Sequence, residues 1–152
     1  MRIFVSIFLL ILFGCKSTTT KINEVSFQTV SKGVLFGDGV EGISESNISF
    51  TNAKDWKSFL EKINTPNTFS KVTIDFSEQQ LLCVFDTIRN TSGYKIEIKN
   101  ILIENKGIKI IYTSAKPSAK EMVNMVITQP YHLVTINKRE EEVTFMHKDN
   151  LQ

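Results

Sequence analysis

Apolar and polar residues alternate along most of the chain after residue 70. Every second residue is apolar over residues 72–76 and 94–98, whereas residues 81–85 form a continuous apolar run. Alternation predicts half-buried strands, and an uninterrupted apolar run predicts a central strand. Polar loops are predicted at residues 86–93 and 114–122. By the same criteria, further strands are predicted at residues 25–30, 101–104, 108–112, 123–128, 133–136 and 143–145.

One segment has the spacing of an amphipathic helix instead. Its apolar residues recur at i, i+3, i+4 and i+7, at Trp56, Phe59, Leu60 and Ile63. Thr51 or Asn52 can cap the N-terminus, and Asp55 stands three residues after Asn52, as in a capping box. The polar residues 64–67 end the segment. The sequence therefore predicts an α+β domain, mainly antiparallel β and arranged as a sheet or sandwich, with one helix near residues 52–63.

The N-terminal residues have the features of a bacterial lipoprotein signal. A single basic residue, Arg2, precedes an apolar run that is too short to span a bilayer. Leu12, Phe13 and Gly14 then precede Cys15 and resemble a lipobox, although Phe13 is larger than is usual at its position. We expect residues 1–14 to be removed, Cys15 to be lipidated, residues 15–24 to be a tether and residues 25–147 to form one domain. An ordinary secretory signal or a membrane anchor is the alternative.

Length and charge narrow the class of protein. The chain has 152 residues, which suits one domain, and 18 basic residues stand against 16 acidic ones. Removal of residues 1–14 leaves a net charge of +1. We therefore expect no nucleic-acid partner, and the membrane serves only to hold the lipid anchor.

Candidate catalytic and metal-binding groups are few. The two histidines, His132 and His147, are 15 positions apart and form no short metal-ligand spacing with Cys83. Cys83 lies in an apolar run, where a buried, inert thiol is expected, and Cys15 is the only other cysteine. We expect His132 to be a hydrogen-bonded structural imidazole and His147 to be solvated in the tail. The sequence predicts no enzyme activity, no metal site and no cofactor.

Two segments carry a family resemblance. The first is Asn90-Thr91-Ser92-Gly93-Tyr94, which opens an alternating strand, and the second is Gln129-Pro130-Tyr131-His132, about thirty residues later. Residues 70–146 resemble the C-terminal domain of the PrcB family, in which a Thr-Gly-Gly-Tyr turn precedes a Pro-Tyr-His strand. Ser92 replaces the first glycine of that pair. The resemblance implies a membrane-anchored, non-catalytic accessory or stabilising subunit of a protease complex.

The residues of these segments also suggest their own roles. Gly93 can adopt the positive φ of a tight turn, and a rigid polar loop at the end of a sheet suits partner binding. Pro130 can mark the start of an edge strand, with Tyr131 either presented to a partner or buried. We predict a partner-binding surface, with a protease as a candidate partner, at Asn90, Thr91, Ser92, Gly93, Tyr94, Gln129, Pro130, Tyr131 and His132.

Two alternatives to an accessory subunit stay open. Residues 90–94 are similar to the Asn-Pro-Thr-Thr-Gly-Tyr loop of chagasin-type cysteine-protease inhibitors, and residues 129–131 to their Arg-Pro-aromatic loop. This resemblance implies an inhibitor that inserts loops into a protease cleft. The other alternative is a structural lipoprotein of the cell envelope. In each case the expected location is the bacterial cell envelope, on the periplasmic or surface side of a membrane.

Overall fold

The structure, a computed structural model, describes residues 23–36, 42–63, 66–104 and 107–148. The predicted signal peptide, Cys15 and all but the last two residues of the predicted tether lie outside the described residues. None of the helices in the described part of the chain is long and apolar enough to span a bilayer.

The described elements are mostly strands. In chain order they are β1 (Asn23–Glu24), β2 (Gln28–Phe36), β3 (Ser46–Phe50), α1 (Ala53–Lys62), a 3-10 helix (Pro66–Phe69), β4 (Gln79–Phe85), β5 (Lys95–Glu104), β6 (Gly107–Ala115), β7 (Thr128–Asn137) and β8 (Glu142–His147).

The strands form two four-stranded sheets. The main sheet has the order β2-β7-β4-β3, and the second sheet has the order β1-β5-β6-β8. Neighbouring strands are antiparallel throughout, except for the parallel pair of β6 and β8. The prediction of a mainly antiparallel α+β fold with one α-helix is confirmed for the described residues.

The main sheet is the middle layer of the molecule, because alternate residues of its strands pack in opposite directions. On one side, Leu82 and Val84 of β4 join a core with Ile98 and Ile108 of the second sheet. On the other side, Leu81, Cys83 and Phe85 pack in a second core with Trp56 of α1. Residues 81–85 are thus buried on both faces of the sheet, which confirms their predicted central position.

Helix α1 begins as predicted. The side chain of Asn52 accepts a hydrogen bond from the backbone N–H of Asp55 at 2.9 Å, and its amide donates to the Asp55 carboxylate at 2.7 Å. This reciprocal pair satisfies one free N–H of the first turn. Trp56 is buried against Phe50 and Phe69, with ring centroids 5.2 and 6.0 Å apart, so its predicted core position is confirmed.

Two predicted strands are wrong. Residues 72–76 alternate as a strand does, but they do not join a sheet. Val72, Ile74 and Phe76 are partly buried against the core that contains Trp56. Residues 123–127 are also irregular, and β7 begins only at Thr128. Val123, Val126 and Ile127 are likewise partly buried without a strand partner, whereas Met125 is exposed.

The N-terminal part of the domain is more regular than predicted. Strand β2 continues through Gly33 to Phe36, because the missing side chain of Gly33 leaves room for the ring of Tyr131 on the neighbouring strand. Residues 23–24, predicted to end the tether, pair with Leu102 and Ile103 as β1. Strand β3, for which there was no prediction, lies at the edge of the main sheet.

Candidate partner-binding site

Two loops meet at one end of the sandwich. The first, residues 86–94, connects β4 to β5, and the second, residues 116–127, connects β6 to β7. We call these two loops, together with the adjoining C-terminus of β2 at Phe36, the loop end. The pairings of Phe36 with Thr128, and of Lys95 with Ala115, place all these segments at the same end of the molecule.

The first loop is fixed to the second by backbone contacts. Arg89 and Thr128 exchange N–H to carbonyl hydrogen bonds of 2.7 and 2.9 Å. Ser92 donates its N–H to the Asn124 carbonyl at 3.0 Å, and its hydroxyl accepts from the Asn124 N–H at 2.9 Å. The Thr128 hydroxyl donates to the Thr91 carbonyl at 2.8 Å. The predicted loop is therefore held in one conformation, as a preorganised binding surface requires.

Gly93 has the positive φ that the sequence predicted, with a value of +93°. A Cβ atom at this position would also lie only 2.8 Å from Cβ of Pro117 and 3.2 Å from a methyl carbon of Val123. Only glycine satisfies both the backbone conformation and this close contact. The turn is thus the point at which the two loops pack together.

An ion pair with a buried carboxylate lies at the start of the first loop. Asp86 is buried and accepts two hydrogen bonds from the Nη2 atom of Arg89, at 2.8 and 3.0 Å, and one from Nε at 3.2 Å. The Arg89 guanidinium also lies 4.6 Å from the centre of the Tyr94 ring, within the range of a cation–π interaction. Sequence analysis did not select Asp86 or Arg89, because the i, i+3 spacing of opposite charges indicates a contact on a helix and not in a loop.

The second predicted segment, residues 129–132, is not a surface. Tyr131 is 7% exposed, Gln129 and His132 are each 2% exposed, and Pro130 is buried as well. Their burial argues against direct contact with a partner, because strand β7 lies between β2 and β4. Gln129 instead donates from its amide to the carbonyls of Ile43 and Asp86, each at 2.9 Å, and so supports the first loop.

Pro130 does not mark an edge strand. It is the third residue of β7 and pairs with Val34 of β2, so both neighbours of the strand are present. On the β4 side its carbonyl accepts the Asp86 N–H at 2.9 Å, a contact that needs no donor from proline. The proline therefore lies where the β4–β7 ladder opens into the first loop.

His132 is the structural imidazole that the sequence predicted. Its Nδ1 accepts the backbone N–H of Ile98 at 3.0 Å, and its Nε2 lies 2.9 Å from the Thr29 hydroxyl. An Nδ1 that accepts is unprotonated, so the neutral ring carries its hydrogen on Nε2. His132 thus connects the two sheets at the irregularity that β5 has between Ile98 and Asn100.

The charge of this imidazole is suppressed. Burial, and then the nearby Lys32 ammonium, lower the pKa of His132 to about 4, with a smaller contribution from Lys99 and an opposing one from Glu97. Hydrogen bonds from Lys32 and Lys99 lower the pKa of Glu97 to about 2. The Lys32 to Glu97 ion pair, 2.8 Å long, is a second connection between the two sheets.

Large apolar side chains are exposed at the loop end. Met122 is 98% exposed, Met125 is 86% exposed, Phe36 is 67% exposed and Ile88 in the first loop is 44% exposed. Among the described residues, the remaining large apolar side chain with high exposure is Met146 on edge strand β8. Sequence analysis missed this cluster, because single apolar residues in polar loops carry no periodic signal.

A polar cleft of about 240 Å³ opens beside the first loop, lined among others by Glu45, Asp86, Arg89 and His147. His147 is exposed to solvent, as predicted, but it belongs to β8 and not to a tail: its ring packs on Tyr112 at 5.1 Å, and its Nε2 lies 2.9 Å from the Ser114 hydroxyl. The described residues include no group of three or more acidic, His or Cys side chains that could hold a metal ion.

Cys83 is buried on the central strand β4. Burial raises the pKa of its thiol well above the usual value. The predicted burial of Cys83 is confirmed, and a buried, protonated thiol is a poor nucleophile.

Residues 82–137 match the family model described as PrcB C-terminal. The predicted family resemblance is confirmed over this segment. The PrcB C-terminal segment runs from β4 to β7 and so contains both loops of the loop end, while it is shorter at each end than the predicted range of 70–146. Comparison with curated proteins and with solved structures gives no significant match.

Proposed function

We propose that this chain is a membrane-anchored, non-catalytic lipoprotein of the bacterial cell envelope that binds a protein partner as an accessory or stabilising subunit of a protease complex. The observation that carries the binding role is the exposure of Ile88, Met122 and Met125 on two loops that are fixed to each other, together with Phe36 at the adjoining end of β2. Contiguous exposed apolar side chains mark interaction sites on soluble domains.

The PrcB C-terminal match supports the protease-complex part of the proposal. Membrane attachment is inferred from the sequence before residue 16, where the short apolar run and Cys15 resemble a lipoprotein signal. The non-catalytic role is consistent with the buried His132 and Cys83, whose ring nitrogens and thiol face the protein interior.

The inhibitor alternative loses part of its support in this fold. A chagasin-type arrangement requires residues 129–131 to form a second exposed loop, whereas they lie in a central strand with buried side chains. The loop of residues 90–94 alone is a narrow basis for insertion into a cleft, since Thr91, Ser92 and Tyr94 are half-buried. We therefore favour the accessory role.

The proposal is tested by recovering partners of the tagged, full-length protein from gently solubilised native membranes. We expect a protease component to be retained by the wild type and to be at least about tenfold reduced in a Met122→Ser, Met125→Ser double variant, because apolar contacts at an interface centre dominate affinity. Met146→Ser is the control, since it removes one exposed methionine from β8, outside the two loops.

Three results decide between the functions. Stoichiometric retention with undiminished or increased protease activity supports the accessory role, whereas loss of protease activity on titration with the protein supports the inhibitor. Absence of a reproducible partner contradicts both and favours a structural lipoprotein. Lipid labelling that persists in a Cys15→Ser variant would contradict the anchor independently of the partner.

A further inference from the structure

The loop end has a charge pattern in addition to its apolar residues. Residues 86–95 and 114–128 carry four basic side chains and two acidic ones. Lys95, Lys116 and Lys120 are exposed, whereas the Asp86 carboxylate is buried and paired with Arg89. The other carboxylate, that of Glu121, accepts the Ser118 N–H at 3.2 Å within the loop. The exposed charges of this region are therefore Lys95, Lys116 and Lys120 against Glu121, with Glu45 as a further exposed carboxylate beside the first loop.

This combination fits either a protein surface or the anionic headgroups of a membrane. The position at which the chain enters the domain distinguishes a protein partner from a membrane. Strand β1 pairs Asn23 with Ile103, near the end of β5, whereas the first loop joins β5 at Lys95. The chain thus enters at the opposite end of the sandwich, and eight residues at ~3.3 Å each separate the two ends by about 26 Å.

The reach of the tether favours the protein surface. Seven residues, 16–22, lie between Cys15 and β1. The eight Cα–Cα steps from Cys15 to Asn23 span at most about 29 Å when fully extended, so a domain anchored through Cys15 could stand end-on with its loop end on the membrane only with a nearly straight tether. Such extension costs conformational entropy, which disfavours that orientation.

We infer that the loop end docks a partner protein through a surface that is both apolar and acidic, on the side of the domain that faces away from the membrane. This inference rests on the proposed function and adds the chemistry of the partner surface. Methionine side chains adapt to varied apolar shapes, and the exposed lysines of this region contribute attraction that depends on salt.

The test places a photo-crosslinking residue, p-benzoylphenylalanine, in the full-length lipidated protein in its native cells. Met122→p-benzoylphenylalanine and Met125→p-benzoylphenylalanine probe the loop end, and both side chains are so exposed that the fold is not at risk. Controls replace Lys57 on α1 and Glu140 in the turn after β7, both exposed and outside the two loops of the loop end.

We expect crosslinks at Met122 and Met125 to peptides of one partner protein that contain apolar residues and a net negative charge. A Lys116→Glu, Lys120→Glu variant should lower the crosslinking yield about tenfold, as should high salt. Lys54→Glu, Lys71→Glu makes the same change of charge at exposed positions elsewhere and should leave the yield unchanged.

Each other outcome contradicts the inference. Crosslinks at the loop end to lipid alone identify a membrane contact. Crosslinks to basic peptides contradict an acidic partner surface. Crosslinks to a protein only at Lys57 or Glu140 overturn this surface while leaving the proposed accessory function in place. No protein crosslink at any position overturns both.

Discussion

At the scale of single residues, the buried imidazole of His132 depends on its surroundings to stay neutral. Its Nδ1 accepts from the Ile98 N–H on the other sheet, a contact that needs a neutral ring, and its Nε2 lies against the Thr29 hydroxyl. Lys32, Glu97 and Lys99 are the charged groups that face it. The ring therefore stays neutral in the folded protein at pH values at which it would be charged in the unfolded chain.

This difference predicts that stability depends on pH through His132. The folded pKa of about 4 is below the unfolded value of 6.5, so stability is complete above about pH 6.5 and is lost as the pH falls through the folded value. The loss by pH 4 corresponds to about 3 kcal/mol of unfolding free energy. Denaturant titrations of the wild type across this range measure it.

The matched variant is His132→Asn, whose side-chain oxygen can accept the Ile98 N–H without titrating. It should be less stable at neutral pH, because the contact with Thr29 is lost, yet it should show a flatter pH dependence between about pH 6.5 and 4. Equal slopes for variant and wild type would show that other groups cause the acid sensitivity.

At the scale of elements, the contact between the two loops depends on one glycine. Gly93→Ala introduces a Cβ atom 2.8 Å from Pro117 into a backbone with φ of +93°. We expect a loss of about 2–3 kcal/mol in unfolding free energy, from the left-handed backbone and the steric contact together. Thermal and denaturant unfolding provide the measurement.

Gly107→Ala is the control for this substitution. It has an ordinary φ and its nearest contact, to the Glu142 carbonyl, is 3.3 Å, so a smaller loss of about 1 kcal/mol or less is expected. Equal losses of unfolding free energy in the two variants would show that the backbone conformation and loop packing at Gly93 add no stability beyond that of an ordinary glycine. A destabilised Gly93→Ala protein should also retain less partner, because the loop end is no longer preorganised.

The elements that the sequence predicted correctly carry strong local signals. Helix α1 combines a cap at Asn52 with a regular apolar stripe, and the run at 81–85 is apolar on both faces, so local pattern and tertiary position agree. The positive φ of Gly93 and the buried Cys83 were predictable in the same way.

What the sequence did not predict depends on partners distant in the chain. Strand β3 lies at an edge and has weak periodicity, and residues 72–76 alternate but pack over the core of the main sheet instead of pairing with a strand. Likewise, the burial of residues 129–132 follows from β2 on one side and β4 on the other, neither of which the local sequence reveals. The exposed Met122 and Met125 are recognisable only once the loops have been placed.

At the scale of the whole molecule, the positions of the two ends predict an orientation. A fluorophore on Glu140→Cys should lie closer to the membrane than one on Met122→Cys, because residue 140 follows β7 at the end where β1 enters. The difference should approach about 26 Å, the length of eight residues of β5. Cys83 is buried and should stay unlabelled.

Energy transfer to acceptor lipids in vesicles that carry the lipidated protein measures this difference. Transfer should be clearly stronger from the Glu140→Cys site than from the Met122→Cys site. Equal transfer from both sites, or the reverse order, would contradict the outward orientation of the loop end.

The position of β7 in the chain has a consequence for biogenesis. Strand β2, which contains Phe36, pairs only with β7 within the main sheet, and β7 begins at Thr128. During synthesis or translocation from the N-terminus, about a hundred residues must therefore emerge before β2 finds its partner. Its apolar residues stay exposed throughout that interval, so a chain stalled or truncated before β7 should depend on chaperones and be rapidly degraded.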